Sequence, residues 1–199
     1  MGLREQKRQR THDAVSAAAI ALFLERGFDG VSVADVAAAA EISKPTLFRY
    51  FPSKEDLVLH QIADHRGEAA RVVRARPAGQ SPPAALHAHF LDGLARRDPV
   101  TGLNDHPRVL AFHNMVFSTP SLSVRVNDYI ARDEEALAAA LAETDDPLTA
   151  RLRAAMILAA TRVLARENWR RLAGGETADG LYETAVAAAD TAFRLLGDR

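Results

Sequence analysis

The sequence predicts an all-α protein of about nine helices. Three observations carry that reading. Apolar residues recur at helical spacing along the chain, and no segment alternates as a strand does. Start and stop signals separate the periodic stretches: Ser or Asp before a Pro or an acidic residue, and Gly after the last apolar position.

Val15, Ala18, Ala19, Leu22 and Phe23 form one stripe of a first amphipathic helix, with Gly27 as its C′ residue. Ser32-Val33-Ala34-Asp35 reads as a capping box, and Val33, Val36, Ala37 and Ala40 give a short second helix one apolar face. Ala40-Glu41-Ile42 leaves room only for a tight turn. Ser43 then caps a third helix through Lys44-Pro45-Thr46-Leu47-Phe48-Arg49-Tyr50-Phe51. Pro45 is tolerated in the first turn, where backbone N–H groups have no intrahelical partner. Leu47 and Phe51, four apart, anchor this helix to a core. Lys44, Thr46, Arg49 and Tyr50 are left to point elsewhere, and their chemistry suits phosphates and base edges. Taken alone, this helix reads equally well as a surface helix with a solvated polar face. The two capped helices before it decide for a helix-turn-helix. Ser53 and Asp56 cap a fourth helix after Pro52.

The stretch Thr11–Leu59 resembles the N-terminal domain of TetR/AcrR-type transcriptional regulators. The likeness rests on LF-x3-GF, the S-V-x-D-V-A block, the TLFRYF core and the S-K-E-D-L tail. Two positions depart from the family's pattern. Glu41 stands where the turn usually carries Gly, which would cost about 1–2 kcal/mol if φ is positive there. Phe48 stands where a Tyr usually offers a hydroxyl to phosphate. The DNA-contacting set expected here is Ser32, Ser43, Lys44, Pro45, Thr46, Phe48, Arg49, Tyr50 and Lys54, with Lys54 facing a phosphate from the start of the fourth helix.

The fourth helix is expected to run unbroken from Ser53 to about Arg74, and Pro77–Pro83 is the clearest linker. Five more helices follow, at about Ala84–Arg97, Pro107–Ser118, Leu122–Glu143, Pro147–Leu172 and Thr177–Leu196. The domains read as 1–68, the DNA-reading part, and 69–199, a ligand-binding and dimerisation part. The last two helices carry alanine-rich stripes, Leu148, Leu152, Ala155, Ala159 and Leu181, Ala185, Ala188, Ala192, Leu195. Small side chains let helix axes approach closely, within one subunit or between two. The resemblance implies the second, a homodimer joined through these helices with Leu181, Ala185, Ala188, Ala192 and Leu195 in the contact. It also implies an effector cavity, for which Phe90, Phe112, Met115, Phe117 and Trp169 are candidates, although each taken singly reads better as ordinary core.

Composition bounds the function. The 199 residues are 48% hydrophobic with a net charge of −1, which argues against a protein that coats DNA non-specifically. Residues 1–76 hold 12 Lys+Arg and 10 Asp+Glu, and the N-terminal tail is basic, with Arg4, Lys7, Arg8 and Arg10 against Glu5. All three lysines, Lys7, Lys44 and Lys54, lie in the first 54 positions, so cationic contact chemistry is local. There is no cysteine, hence no disulfide and no thiol chemistry. The histidines show no ligand-like spacing, and neither a metal nor a cofactor is expected. The sequence holds no G-x-S-x-G, phosphate loop or H-E-x-x-H, which argues against an enzyme. The longest apolar run, Ala17–Leu24, is too short for a membrane span, and no signal peptide is visible; a cytoplasmic protein is expected. The leading reading is a homodimeric, ligand-responsive repressor that binds double-stranded DNA at a palindromic operator and answers to a small-molecule effector. The alternatives are an activator or ligand-independent regulator of the same fold and, more remotely, an architectural DNA-binding protein.

Overall fold

The computed structural model describes residues 2–63 and 65–197; for Leu3, Arg4, Glu5, Lys7, Gln61, Ala63 and Gly197 it describes the backbone only. Within these residues there are ten α-helices and no strand. In chain order they are α1 (Leu3–Arg26), α2 (Val33–Ala39), α3 (Lys44–Tyr50), α4 (Lys54–Ala63), α5 (Glu68–Ala75), α6 (Pro82–Ala95), α7 (Pro107–Ser118), α8 (Pro120–Leu141), α9 (Pro147–Ala173) and α10 (Ala178–Gly197). A 3-10 turn, Pro99–Thr101, lies between α6 and α7.

The tenth helix arises because the expected fourth one is broken. His65–Gly67 form a turn, and Gly67 takes a left-handed φ of 64°. The apolar pattern continues across this point, so the break is not visible in the periodicity. Gly67 N donates to Asp133 Oδ1 at 2.9 Å, a partner 66 positions away. The basic tail is helical too, because α1 begins at Leu3. The side chains of Arg4, Glu5 and Lys7, which give that tail part of its expected charge, lie outside the described residues. Pro82 and Pro83, read as linker, occupy the first turn of α6 behind the Ser81 cap. Pro45, Pro107, Pro120 and Pro147 likewise stand in the first turns of their helices, where a missing N–H costs nothing.

The chain divides into two compact units, Met1–His65 with Ala111–Asp128, and Arg66–Leu110 with Tyr129–Arg199. These are packing units, and residues 111–128 group with the first of them. Met115, Val116, Leu122 and Val126 in that segment are buried apolar residues.

In the first unit the core is Val15, Ala19, Ile20 and Phe23 of α1, Val36 and Ala37 of α2, Leu47 of α3 with Phe51 just beyond it, and Leu57, Val58 and Leu59 of α4. The Ser16 hydroxyl, buried in α1, donates to Leu57 O at 2.8 Å and fixes the register of α1 against α4. In the second unit, one core joins α5, α6, α8, α9 and α10 around Leu94, Leu103, Leu137, Leu141, Ile157, Leu181 and Phe193. The turn before α7 is pressed onto the middle of α9. Gly102, at φ 73°, lies so close that an added Cβ would stand 1.9 Å from Ala165 O, and the buried Asn168 amide donates to Thr101 O at 2.9 Å. None of the helices described is long and apolar enough to cross a membrane.

Candidate nucleic-acid interface

The turn between α2 and α3 is built as its residues dictate. Ala40 N and Ile42 N donate to Val36 O and Ala37 O, and Glu41 takes a left-handed φ of 54°. This is the position where Gly was the expected residue. Ser43 Oγ accepts from Thr46 N at 3.3 Å and lies 2.9 Å from Thr46 Oγ1, so the cap holds both residues at the start of α3. Leu47 and Phe51 are fully buried, as their spacing requires. Lys44, Pro45, Phe48 and Arg49 are exposed, while Thr46 and Tyr50 are half-buried. Phe48, at 48% exposure, is the one large apolar side chain left open on α3. The Arg49 guanidinium sits 5.6 Å from the Tyr50 ring centroid, and His12 stands edge-on to the same ring at 6.2 Å.

Ser32 carries a complete capping box. Its N and Oγ both meet Asp35 Oδ2, at 2.8 and 2.6 Å, and Asp35 N donates back to Ser32 Oγ at 3.2 Å. The Ser32 hydroxyl, followed by its backbone N–H, holds the Asp35 carboxyl below the ordinary aspartate range; Arg26 and Lys44 add smaller attractions. A second box, Ser53 with Asp56, opens α4 by the same pattern, and Asp56 Oδ1 also accepts from Arg125 at 3.4 Å.

Lys54 has partners within the fold. Its ammonium donates to Phe28 O and lies 4.2 Å from the Phe28 ring centroid and 5.5 Å from that of Phe23. The four-carbon stem lets the charge fold back onto a carbonyl and two π faces at the end of α1, and it does so here. In the chain without DNA, Lys54 thus tethers the loop after α1.

The other expected sites divide in the same plain way. Leu181 and Ala185 are buried in the core of their own unit, so they are not available to a second copy. Ala188 is exposed, Ala192 half-buried and Leu195 81% exposed. The core-facing side of α10 is centred near Ala189, about 100° round the helix from Ala188. Of the candidate pocket residues, Phe112, Met115 and Phe117 belong to the first unit and Phe90 and Trp169 to the second. Phe90 is core, 6.3 Å from the Phe193 ring, and Phe117 is exposed. Sequence reasoning also missed a cluster. His12 and Asp13 of α1 meet His60 of α4, with His12 Nδ1 3.0 Å and Asp13 Oδ1 3.1 Å from His60 Nε2. Spacing within one helix could not reveal it, because its members lie 47 and 48 positions apart.

The family model described as "Bacterial regulatory proteins, tetR family" matches residues 16–60, the span that holds α2, α3 and both capping boxes. A relative, the HTH-type transcriptional regulator TcmR of Streptomyces glaucescens, is 33% identical over 179 residues, covering 85% of this chain and 78% of its own. Among solved structures, the fold is shared with NalD, the secondary repressor of the MexAB-OprM multidrug efflux pump in Pseudomonas aeruginosa, at TM-score 0.60 and 17% identity over 94% of this chain and 97% of that one. GusR of Salmonella enterica shares it at TM-score 0.58 and 20% identity, over 94% and 93%. A capped three-helix reader at the N-terminus, a relative of this identity along most of both chains, and an all-α fold shared end to end place this chain in the TetR/AcrR-type family of DNA-binding transcriptional regulators.

Proposed function

We propose that the chain acts as a homodimer that represses transcription from a palindromic operator and is released by a small-molecule effector. The observation that carries the reading is the outer face of α3, where Lys44, Phe48 and Arg49 stand exposed on a helix fixed from beneath by Leu47 and Phe51. Two such helices, with centres roughly 34–36 Å apart, reach successive major grooves. In this role Arg49 reads a base, since a guanidinium pairs bidentately with guanine O6 and N7. Lys44 meets phosphate at the start of α3. Ser43 and Thr46 lend backbone and hydroxyl contacts beside Pro45 and Tyr50, and Ser32 does the same at the start of α2. Phe48, having no hydroxyl, packs on a thymine methyl. Acting on chromosomal DNA, the protein works in the cytoplasm.

The division of labour follows the domains read from the sequence, with 1–68 reading DNA and 69–199 binding effector and pairing subunits. Dimerisation through α9 and α10 is supported by Leu148, Leu152, Met156, Val163 and Leu195, five of the nine large apolar side chains left exposed in the described residues. An acidic effector is favoured by Arg162 of α9, whose Nη1 is buried with no hydrogen-bond partner among the described residues. A carboxylate would supply the acceptor that buried N–H lacks. Release follows if the effector binds the DNA-incompetent spacing of the two readers more tightly than the competent one.

The test is selection of bound duplex from a random pool, followed by gel shift on the recovered site and its single-base variants. Recovery of a two-fold symmetric site is expected. Arg49→Ala is expected to lose about 1–3 kcal/mol of discrimination at one base pair per half-site. Uniform weakening on all sequences would reassign Arg49 to the backbone, and recovery of no consensus would reject the operator reading. Transcription in vitro from a promoter carrying the site then fixes the sign of regulation.

A further inference from the structure

We propose that His12, Asp13 and His60 bind one divalent transition-metal ion of the zinc class, bridging α1 and α4. Three potential ligand atoms converge there. His60 Nε2 lies 3.0 Å from His12 Nδ1 and 3.1 Å from Asp13 Oδ1, and the latter two are 4.0 Å apart. Ligand bonds of about 2.0–2.2 Å in a tetrahedron put neighbouring ligand atoms about 3.3–3.6 Å apart, and the three observed separations bracket that range. Only small side-chain shifts are needed to close around an ion.

The frame is fixed independently of any ion. Ser16, one turn along α1, is bonded to the Leu57 carbonyl, one turn before His60 on α4. The His12 ring is stacked on the buried Phe51 ring at 4.1 Å and 26°, which sets its orientation. Gln9 Nε2 donates to Asp13 Oδ1 at 2.8 Å, the outer hydrogen bond that orients a ligating carboxylate. The proton count also favours an ion. His60 Nε2 carries one hydrogen at most, yet it faces both His12 Nδ1 and Asp13 Oδ1, whereas a cation at the centre takes all three lone pairs at once.

Two imidazoles and one carboxylate select Zn²⁺, Ni²⁺, Co²⁺ or Cu²⁺ over Mg²⁺ and Ca²⁺, which prefer all-oxygen shells. The Asp13 side chain is 54% exposed and those of His12 and His60 are 21% and 13% exposed, so one side stays open for ion entry and a water ligand. An ion held there ties α1 to α4 and holds His12 against Phe51, the residue that ends α3. Metal occupancy thereby steadies the reading head.

The experiment uses the full chain, purified without a polyhistidine tag and stripped with a chelator. Titration with Co²⁺ is expected to give visible ligand-field absorption saturating at one ion per chain, displaced by Zn²⁺, together with a higher thermal midpoint. Asp13→Asn and His60→Gln are each expected to weaken Co²⁺ binding by more than about tenfold. His89→Gln, which alters a different histidine–carboxylate pair, His89 with Glu68, leaves it unchanged. Should His60→Gln fold poorly by circular dichroism, Asp13→Asn at its exposed position still reads the site. Absence of the cobalt spectrum overturns the proposal, and so does wild-type affinity in folded Asp13→Asn.

Discussion

Glu41 holds φ 54° in the turn between α2 and α3, a conformation that costs a residue with a Cβ about 1–2 kcal/mol. Replacing it with glycine removes that strain but frees the unfolded chain, which takes back about 0.4–1 kcal/mol. Glu41→Gly is therefore expected to stabilise the protein by about 0.5–1 kcal/mol, read as a higher urea midpoint at unchanged slope. A lower midpoint would mean that Glu41 makes a compensating contact. Lys54 gives the opposite sign. Its ammonium is bonded to Phe28 O and rests on two phenylalanine rings, so Lys54→Ala should destabilise the protein by about 1–2 kcal/mol in the absence of DNA. An unchanged urea midpoint, with DNA affinity lost equally on all sequences, would return Lys54 to the phosphate role. These two residues also mark what was legible at this scale. The backbone demand at Glu41 could be anticipated, because the family's glycine at that place encodes a positive φ. The direction of a four-carbon lysine stem could not, since several rotamers satisfy the same spacing and only the tertiary partner chooses. The same limit hid the meeting of His12 and His60.

At the scale of elements, helix starts were the readable part. Ser32, Ser43, Ser53 and Asp146 all cap as their local sequence implies, because capping is decided within four residues, whereas Ser81, read as linker, proves to be the cap of α6. The break between α4 and α5 was not readable, since its determinant is the contact of Gly67 N with Asp133, far along the chain. The turn Pro99–Gly102 belongs to the same class. Its signal, a Pro and a Gly, announces a turn but not what the turn packs on. Gly102 lies against the α9 backbone, where an added Cβ would come 1.9 Å from Ala165 O, 2.7 Å from its carbonyl carbon and 3.0 Å from its Cα. Backbone in the middle of a helix cannot swing aside as a side chain can. Gly102→Ala also places a Cβ at φ 73°. The expected cost is about 3 kcal/mol or more, a combination of overpacking and left-handed strain. Thermal unfolding by calorimetry measures it, and a loss under 1 kcal/mol would show that the turn and α9 separate easily.

For the whole molecule, the proposed dimer turns on which apolar surface a second copy would cover. The alanine-rich stripe on α10 mixed two surfaces, because Leu181 and Ala185 turn inward while Ala188 and Leu195 stay out. Small residues suit either packing, so sequence spacing alone does not separate them. The α9 face is cleaner. Leu148, Leu152, Met156 and Val163 fall within an arc of about 80°, all more than half exposed. A face of that kind left in water is costly, and a symmetry mate offers the same face in return. Leu152 lies near its middle and touches solvent in the single chain, at 56% exposure, so Leu152→Glu leaves the subunit fold intact. Across a two-fold contact the change buries two carboxylates without partners and costs several kcal/mol. Sedimentation at low micromolar concentration is expected to show dimer for the wild type and monomer for Leu152→Glu, with equal helix content. Ala188→Glu should act in the same direction. Leu181→Glu, directed into the core, should instead unfold the chain. A Leu152→Glu protein that stays dimeric would put the contact on another face and leave the α9 stripe for a different partner.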